Sequence, residues 1–97
     1  MGYNVIFSKE ANTDFFETYD YYYEIHPSIA LKFNTELNHN LDILEVNPFF
    51  EKRYNGYRFL PLFKFPYIII FEIDEEHKEV EIKALFHTAQ DIANYPI

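Results

Sequence analysis

Two apolar stripes at helical spacing fill the first half of the chain, and Pro27 parts them with almost no residues to spare. In the first, Ala11, Phe15, Tyr19, Tyr22 and Tyr23 recur at three- and four-residue steps, with Asp14, Glu17 and Glu24 mostly off that face. Ser8 offers a side-chain oxygen to cap this helix from Lys9, Glu10 suits its first turn, and the helix runs to about Ile25. The second stripe, Ala30, Phe33, Leu37, Leu41 and Leu44, defines a helix from about Ser28 to Val46, which Asn47-Pro48 ends. Two helices joined by about two residues fold back on one another as a hairpin.

The remaining segments are β-prone. Tyr3 to Phe7 is a short strand ahead of the hairpin. After a connection through NPFFEKRYNG, with Asn55-Gly56 as a turn signal, three strand-like runs follow: Tyr57 to Lys64, Tyr67 to Asp74 and Glu79 to His87. Their short links make an antiparallel meander. In the last run Val80, Ile82, Ala84 and Phe86 share one face, and Glu79, Glu81, Lys83, Leu85 and His87 the other. The helices are expected to cover the Val80 face. Lys83 and His87 then look out from the opposite face, where Arg58 and Lys64 join them if the first meander strand aligns in parity. The order is β-α-α-β-β-β, an α+β domain with a helical hairpin on one face of an antiparallel sheet. The chain has no repeat, linker or low-complexity run, so residues 1–97 read as one domain.

Charge and composition narrow the function. The chain carries 16 acidic and 8 basic residues, a net charge of −8 that repels polyanions and argues against stable, non-specific DNA binding. From Lys52 to Phe71 there is no acid, yet Lys52, Arg53, Arg58 and Lys64 are half of all the cations, so one region can be locally positive. With no cysteine and with His26, His39, His77 and His87 scattered, thiolate chemistry is excluded and no zinc-ligand spacing appears. No metal or cofactor is expected. No stretch approaches a membrane span and no leader is evident, so the chain reads as cytoplasmic. Its 9 Tyr and 11 Phe exceed what a core of this size holds, and surface tyrosines suit an interface.

Several segments together resemble the RelE/ParE superfamily of bacterial type II toxin–antitoxin (plasmid stabilisation) systems. They are VIFSKEANTD, with Ser8, Ala11 and Asp14; the second helix, with Ala30, Phe33 and Leu37, ending in Asn-Pro; YNGYRFLPLFKFPYIIIFEID; and ALFHTAQDI. The Gly-x-Arg, apolar strand and Phe-Pro-Tyr of the third segment are the most specific. The resemblance covers nearly the whole chain and implies a RelE/ParE-like fold, a cognate antitoxin, and assembly as a homodimer or a toxin–antitoxin heterotetramer. It also implies two activities. ParE-like members poison DNA gyrase by binding it; RelE-like members cleave messenger RNA on the ribosome, and a third state is a harmless relative that binds only its antitoxin. The Phe-Pro-Tyr link and the His-x-x-x-Asp ending are more similar to the ParE branch. Tyr67-Ile68-Ile69 stands where RNA-cleaving relatives place another Arg, and Gln90 where ParE-like chains commonly have Arg; both departures remove positive charge.

The resemblance makes Arg58 and His87 the catalytic candidates of an endoribonuclease, with Arg58 holding the scissile phosphate and His87 the general acid or base. In the gyrase-binding reading, Arg53, Arg58, Lys64, Lys83 and His87 contact target or antitoxin. Each has a plainer alternative. His87 can end the strand with a backbone hydrogen bond, Arg58 can make a structural contact, and Lys64 and Lys83 can be solvated flanks of the sheet. Tyr22 and Tyr23 are partner anchors or, by their helical spacing, core. Asp91 is expected to cap a short helix, Asp91 to Tyr95.

Overall fold

The helix boundaries follow from their caps. Ser8, at φ −68° and ψ 166°, accepts the N–H of Ala11 on its hydroxyl at 3.1 Å, and Glu10 lies in the first turn of α1 (Lys9–Ile25). A single residue then turns the chain. His26 donates its N–H to Tyr22 O at 2.9 Å, closing α1, and its Nδ1 accepts from Ser28 N at 3.1 Å, opening α2 (Pro27–Val46). Pro27 occupies the first helical position, where its missing N–H costs nothing. The hairpin is thus one residue tighter than the sequence suggests.

The structure, a computed structural model, describes residues 2–89; Gln90, Asp91 and the expected helix from Asp91 to Tyr95 lie outside them. Five strands, β1 (Asn4–Phe7), β2 (Lys52–Tyr54), β3 (Tyr57–Pro61), β4 (Tyr67–Asp74) and β5 (Glu79–His87), form one sheet in the order β1-β5-β4-β3-β2. The helical hairpin packs on one face, and β3, β4 and β5 make the expected antiparallel meander. Two features differ from expectation. β1 pairs with β5 in parallel, so the sheet is mixed. Lys52–Tyr54, read as connection, is an edge strand joined to β3 by Asn55 (φ 52°) and Gly56 (φ 81°), the two left-handed positions of a tight hairpin turn. Three residues are too few to show a period.

The decisive feature lies in β5. In β4 the faces alternate without a break: Tyr67, Ile69, Phe71 and Ile73 point to the helices, and Ile68 and Ile70 point away. Opposite them Ile70 pairs with Ala84 but Phe71 pairs with Ile82, which leaves Lys83 as an extra residue, a β-bulge. The extra residue advances the period by one. Val80 and Ile82 face the helices, but beyond the bulge Leu85 does so too, while Ala84 and Phe86 join Ile70 in a second buried cluster on the far face. The expected face of Val80, Ile82, Ala84 and Phe86 therefore holds only as far as Ile82, although all four are buried.

α1 grips the strand at this bulge. Ser8 donates its hydroxyl to Lys83 O at 3.2 Å, Ser8 N donates to Ile82 O at 2.9 Å, and Asp14 Oδ2 accepts from Leu85 N at 3.2 Å. Between them Ala11, 1% exposed, is small enough to let helix and strand approach. Behind this contact Phe33, fully buried, meets Phe15, Tyr22, Phe65 and Tyr67 at centroid distances of 5.4 to 6.0 Å. Tyr22 is therefore core, and burial followed by a hydrogen bond with Tyr67 pushes its hydroxyl up to about 12. Tyr23, one residue on, is 52% exposed.

Asp14→Ala is expected to lose about 1–3 kcal/mol by leaving the Leu85 N–H unpartnered, with Asp14→Asn retaining most of it. Phe33→Ala should cost about 3–5 kcal/mol; urea unfolding measures both. In the β4–β5 turn Asp74 Oδ2 lies 2.8 Å from His77 Nδ1, which raises His77 above 6.5 and lowers Asp74 below 3.8, in each case chiefly through that hydrogen bond. His77's contribution is fully present below pH 6.5 and lost as pH rises through its raised value; that of Asp74 is present above pH 3.8 and lost as pH falls through its lowered value. An NMR titration should give a His77 midpoint above 6.5 that falls back in Asp74→Asn.

Candidate functional site

The bulge turns His87 to the helix side and the register of β3 turns Arg58 there, so the basic residues that the sequence places on the far face are parted from Lys83. Arg58 is paired with Phe71 and so shares the helix-side face, not the far one. Its Nη1 donates to Phe50 O at 2.8 Å and its guanidinium lies 5.5 Å from the Phe49 ring centroid. Arg58 thereby fastens the segment after α2 across the sheet, where Phe50 meets Phe71 edge-on at 6.4 Å. Lys83 does point to the far face. There its ammonium sits 2.8 Å from Glu81 and 3.4 Å from Glu72, and its pKa rises, first through the Glu81 hydrogen bond and against some desolvation.

His87 pairs with Tyr67 on the helix side of the sheet, its ring edge-on to the tyrosine at 5.0 Å. Its Nδ1 accepts from Ala89 N at 3.0 Å, so it ends the strand by folding back on its own backbone. Arg53, on β2, is exposed beside Glu51 at 3.4 Å. Four residues along β4 and two strands across separate Arg58 from His87, about 16 Å between backbones. The expected meeting of Arg58, Lys64, Lys83 and His87 does not occur. The cause is the one-residue parity shift at Lys83 together with the inward register of Arg58.

Lys64 belongs to a different arrangement. The turn between β3 and β4 stands against the outer side of α2, and the two enclose an open groove of about 710 Å³. Glu36 of α2 fixes the turn: its carboxylate accepts the N–H of Phe63, and that of Lys64 at 3.0 and 3.1 Å. Leu62 N and Tyr67 O close the turn's base at 2.8 Å. Phe63 is left 91% exposed at the rim. Across from it Leu31, Thr35, His39 and Ile43 follow one another at helical spacing, with Lys32 beside them. Leu31 and Ile43, apolar but off the core stripe of α2, are the sequence signal for this second face.

Among the described residues no group of three His, Cys, Asp or Glu side chains is placed to hold a metal ion, and no helix is long and apolar enough to cross a membrane. The model of one family, described as the ParE toxin of a type II toxin–antitoxin system, parDE, matches residues 5–92. Among curated proteins none matches. Of solved structures, the chromosomal ParDE toxin–antitoxin system from P. aeruginosa is similar with a TM-score of 0.75 and 21% identity, over 88% of this chain and 95% of that one. At that identity the likeness is one of fold.

Because Arg58 holds a backbone carbonyl and an aromatic ring, Arg58→Ala should detach the Phe49–Phe50 segment. Hydrogen exchange across residues 48–52 should accelerate while that of α1 stays unchanged. Arg58→Lys should restore it only in part, since an ammonium lacks the planar face that stacks on Phe49.

Proposed function

The chain belongs to the ParE toxin family of type II toxin–antitoxin systems, and from that premise we propose that it acts in the cytoplasm of a bacterium by binding and inhibiting DNA gyrase, and that a cognate antitoxin neutralises it. The carrying observation is the commitment of Arg58 to Phe50 O and the Phe49 ring, about 16 Å from His87. Cleavage of a phosphodiester needs a charge stabiliser and a proton carrier converging on one phosphate. Here the two candidates are turned to separate structural tasks. Lys83, between two carboxylates, adds no free charge. A net charge of −8 further opposes approach to ribosomal RNA. Binding a protein target requires none of that chemistry, and Arg53 and Lys64, both exposed, remain available for it.

The test is a supercoiling assay with purified gyrase beside primer extension on messenger RNA from expressing cells. Gyrase inhibition is expected, with filamentous cells and intact transcripts. His87→Ala should retain most of the effect, because no proton is moved. Codon-phased cuts that disappear in His87→Ala, with rates down by roughly 10²–10⁴, would establish the ribosome-dependent endonuclease instead. Silence in both assays would leave a relative that binds only its antitoxin.

A further inference from the structure

Of the ten large apolar side chains left exposed among the described residues, four stand on α1: Phe16, Tyr21, Tyr23 and Ile25, each with more than half of its surface in water. They fall into two rows. Phe16 and Tyr23, seven residues apart, share one side of the helix with Tyr19, whose ring stacks on that of Tyr23 at 6.2 Å; Tyr21 and Ile25, four residues apart, share the other. Single exposed apolar residues are ordinary, but two rows of them on one helix mark a docking surface.

Between the rows runs a ridge of Glu17, Asp20 and Glu24 at three- and four-residue steps, all exposed and, among the described residues, without an ion pair or hydrogen bond. The one cation of α1, Lys9, lies at its far end. Like charges at these steps repel one another. Glu24 also sits in the last turn, where the helix's own carbonyls are already its negative pole and no basic side chain offsets them. The free chain thus carries an arrangement that weakens its own first helix, and a local rule broken without compensation inside the chain points to a contact outside it.

The same arrangement selects the chemistry of the partner. The ridge and the net charge of −8 both repel an acidic segment and attract a basic one. Arginine suits it better than lysine, because a guanidinium pairs with a carboxylate through two donors and lays its planar face against a neighbouring ring. Between these rows a carboxylate and an aromatic ring are within reach of one side chain.

We propose that this ridge of α1 docks a basic, arginine-bearing segment of the gyrase target. Guanidinium groups pair with Glu17, Asp20 and Glu24, and apolar side chains cover Phe16 and Tyr23 on one flank and Tyr21 and Ile25 on the other. The inference rests on the gyrase-binding reading above and names a surface for it. An enzyme that holds DNA displays arginine and lysine to do so, and the target therefore supplies the chemistry that the ridge selects.

The experiment measures binding of the purified chain to purified gyrase by surface plasmon resonance at low and high salt, beside inhibition of supercoiling. Glu17→Gln/Asp20→Asn/Glu24→Gln should weaken both by roughly tenfold or more and remove most of the salt dependence. Its melting temperature should stay level or rise, because repulsion along the helix is relieved, whereas a structural role for these acids would lower it. Phe16→Ser/Tyr23→Ser should weaken binding by a similar factor with the near-ultraviolet circular dichroism of the core retained. Glu75→Gln/Glu76→Gln, in the β4–β5 turn, removes charge away from the ridge and should leave affinity within about twofold. Affinity and inhibition unaltered in both ridge variants would overturn the inference while leaving the gyrase reading intact. A wild-type chain that neither binds nor inhibits gyrase would overturn both. A concentration-dependent dimer of the chain alone, dissolved by Phe16→Ser/Tyr23→Ser, would assign the rows to a second copy and likewise overturn it.

Discussion

The contact of α1 with the bulge at Lys83 sets the rest of the molecule. A bulge interrupts the ladder and leaves backbone groups that a regular sheet would pair; here Ser8 takes the carbonyl of Lys83 and Asp14 the N–H of Leu85. Ser8 also caps the helix that carries Asp14, so one hydroxyl joins the start of α1 to the irregular point of β5. Ala11 lies between these two anchors and keeps the gap closed. The parity of every residue beyond the bulge depends on this clamp. It brings Leu85 and His87 to the helix side and sends Ala84 and Phe86 to the far side with Ile70.

Local contacts govern the electrostatics. Arg58 and Lys83, which the sequence places with His87, are each drawn into a local structural contact, Arg58 to Phe50 O and Lys83 to Glu72 and Glu81, and Lys78 lies over the ring of Tyr3 at 5.1 Å. Charge consumed this way contributes to holding the fold and offers little to an incoming phosphate. Beside the groove Lys32 and Lys64 have no ion pair among the described residues, and Glu36, which keeps its negative charge, holds the backbone N–H groups of the β3–β4 turn.

The elements most legible in the sequence were those whose physics is periodic. Of the stripe Ala30, Phe33, Leu37, Leu41 and Leu44, Leu41 is partly buried against the core and the others are fully buried, and Ser8 and Pro27 act at the helix starts by mechanisms visible in their chemistry. The bulge was not legible. EVEIKALFH alternates well enough to read as one regular strand, and only the tertiary contact from Ser8 and Asp14 selects the residue at which the period slips. Counting across the slip puts His87 on the face of Lys83, and the register that turns Arg58 inward is equally hidden in YRFLP. β2 was too short to signal itself, and the groove hid because Leu31 and Ile43 belong to a second stripe on a helix already explained by its first.

The exposed apolar side chains weigh on stability. Phe16, Tyr21, Tyr23, Val46 and Phe63 all leave more than half of their surface in water, and a domain of this size keeps only a small margin between folded and unfolded states. Deleting such residues would improve solubility at little cost to the core, which already closes around Phe33. A partner that covered them would offset this, because anything that binds the folded chain and not the unfolded one adds RT ln(1 + [L]/Kd), about 2.7 kcal/mol at a hundredfold excess over Kd. That is a large fraction of a small domain's stability. In a chain built this way, recognition and folding draw on the same apolar surface, and release of the partner would return the domain to its own marginal core.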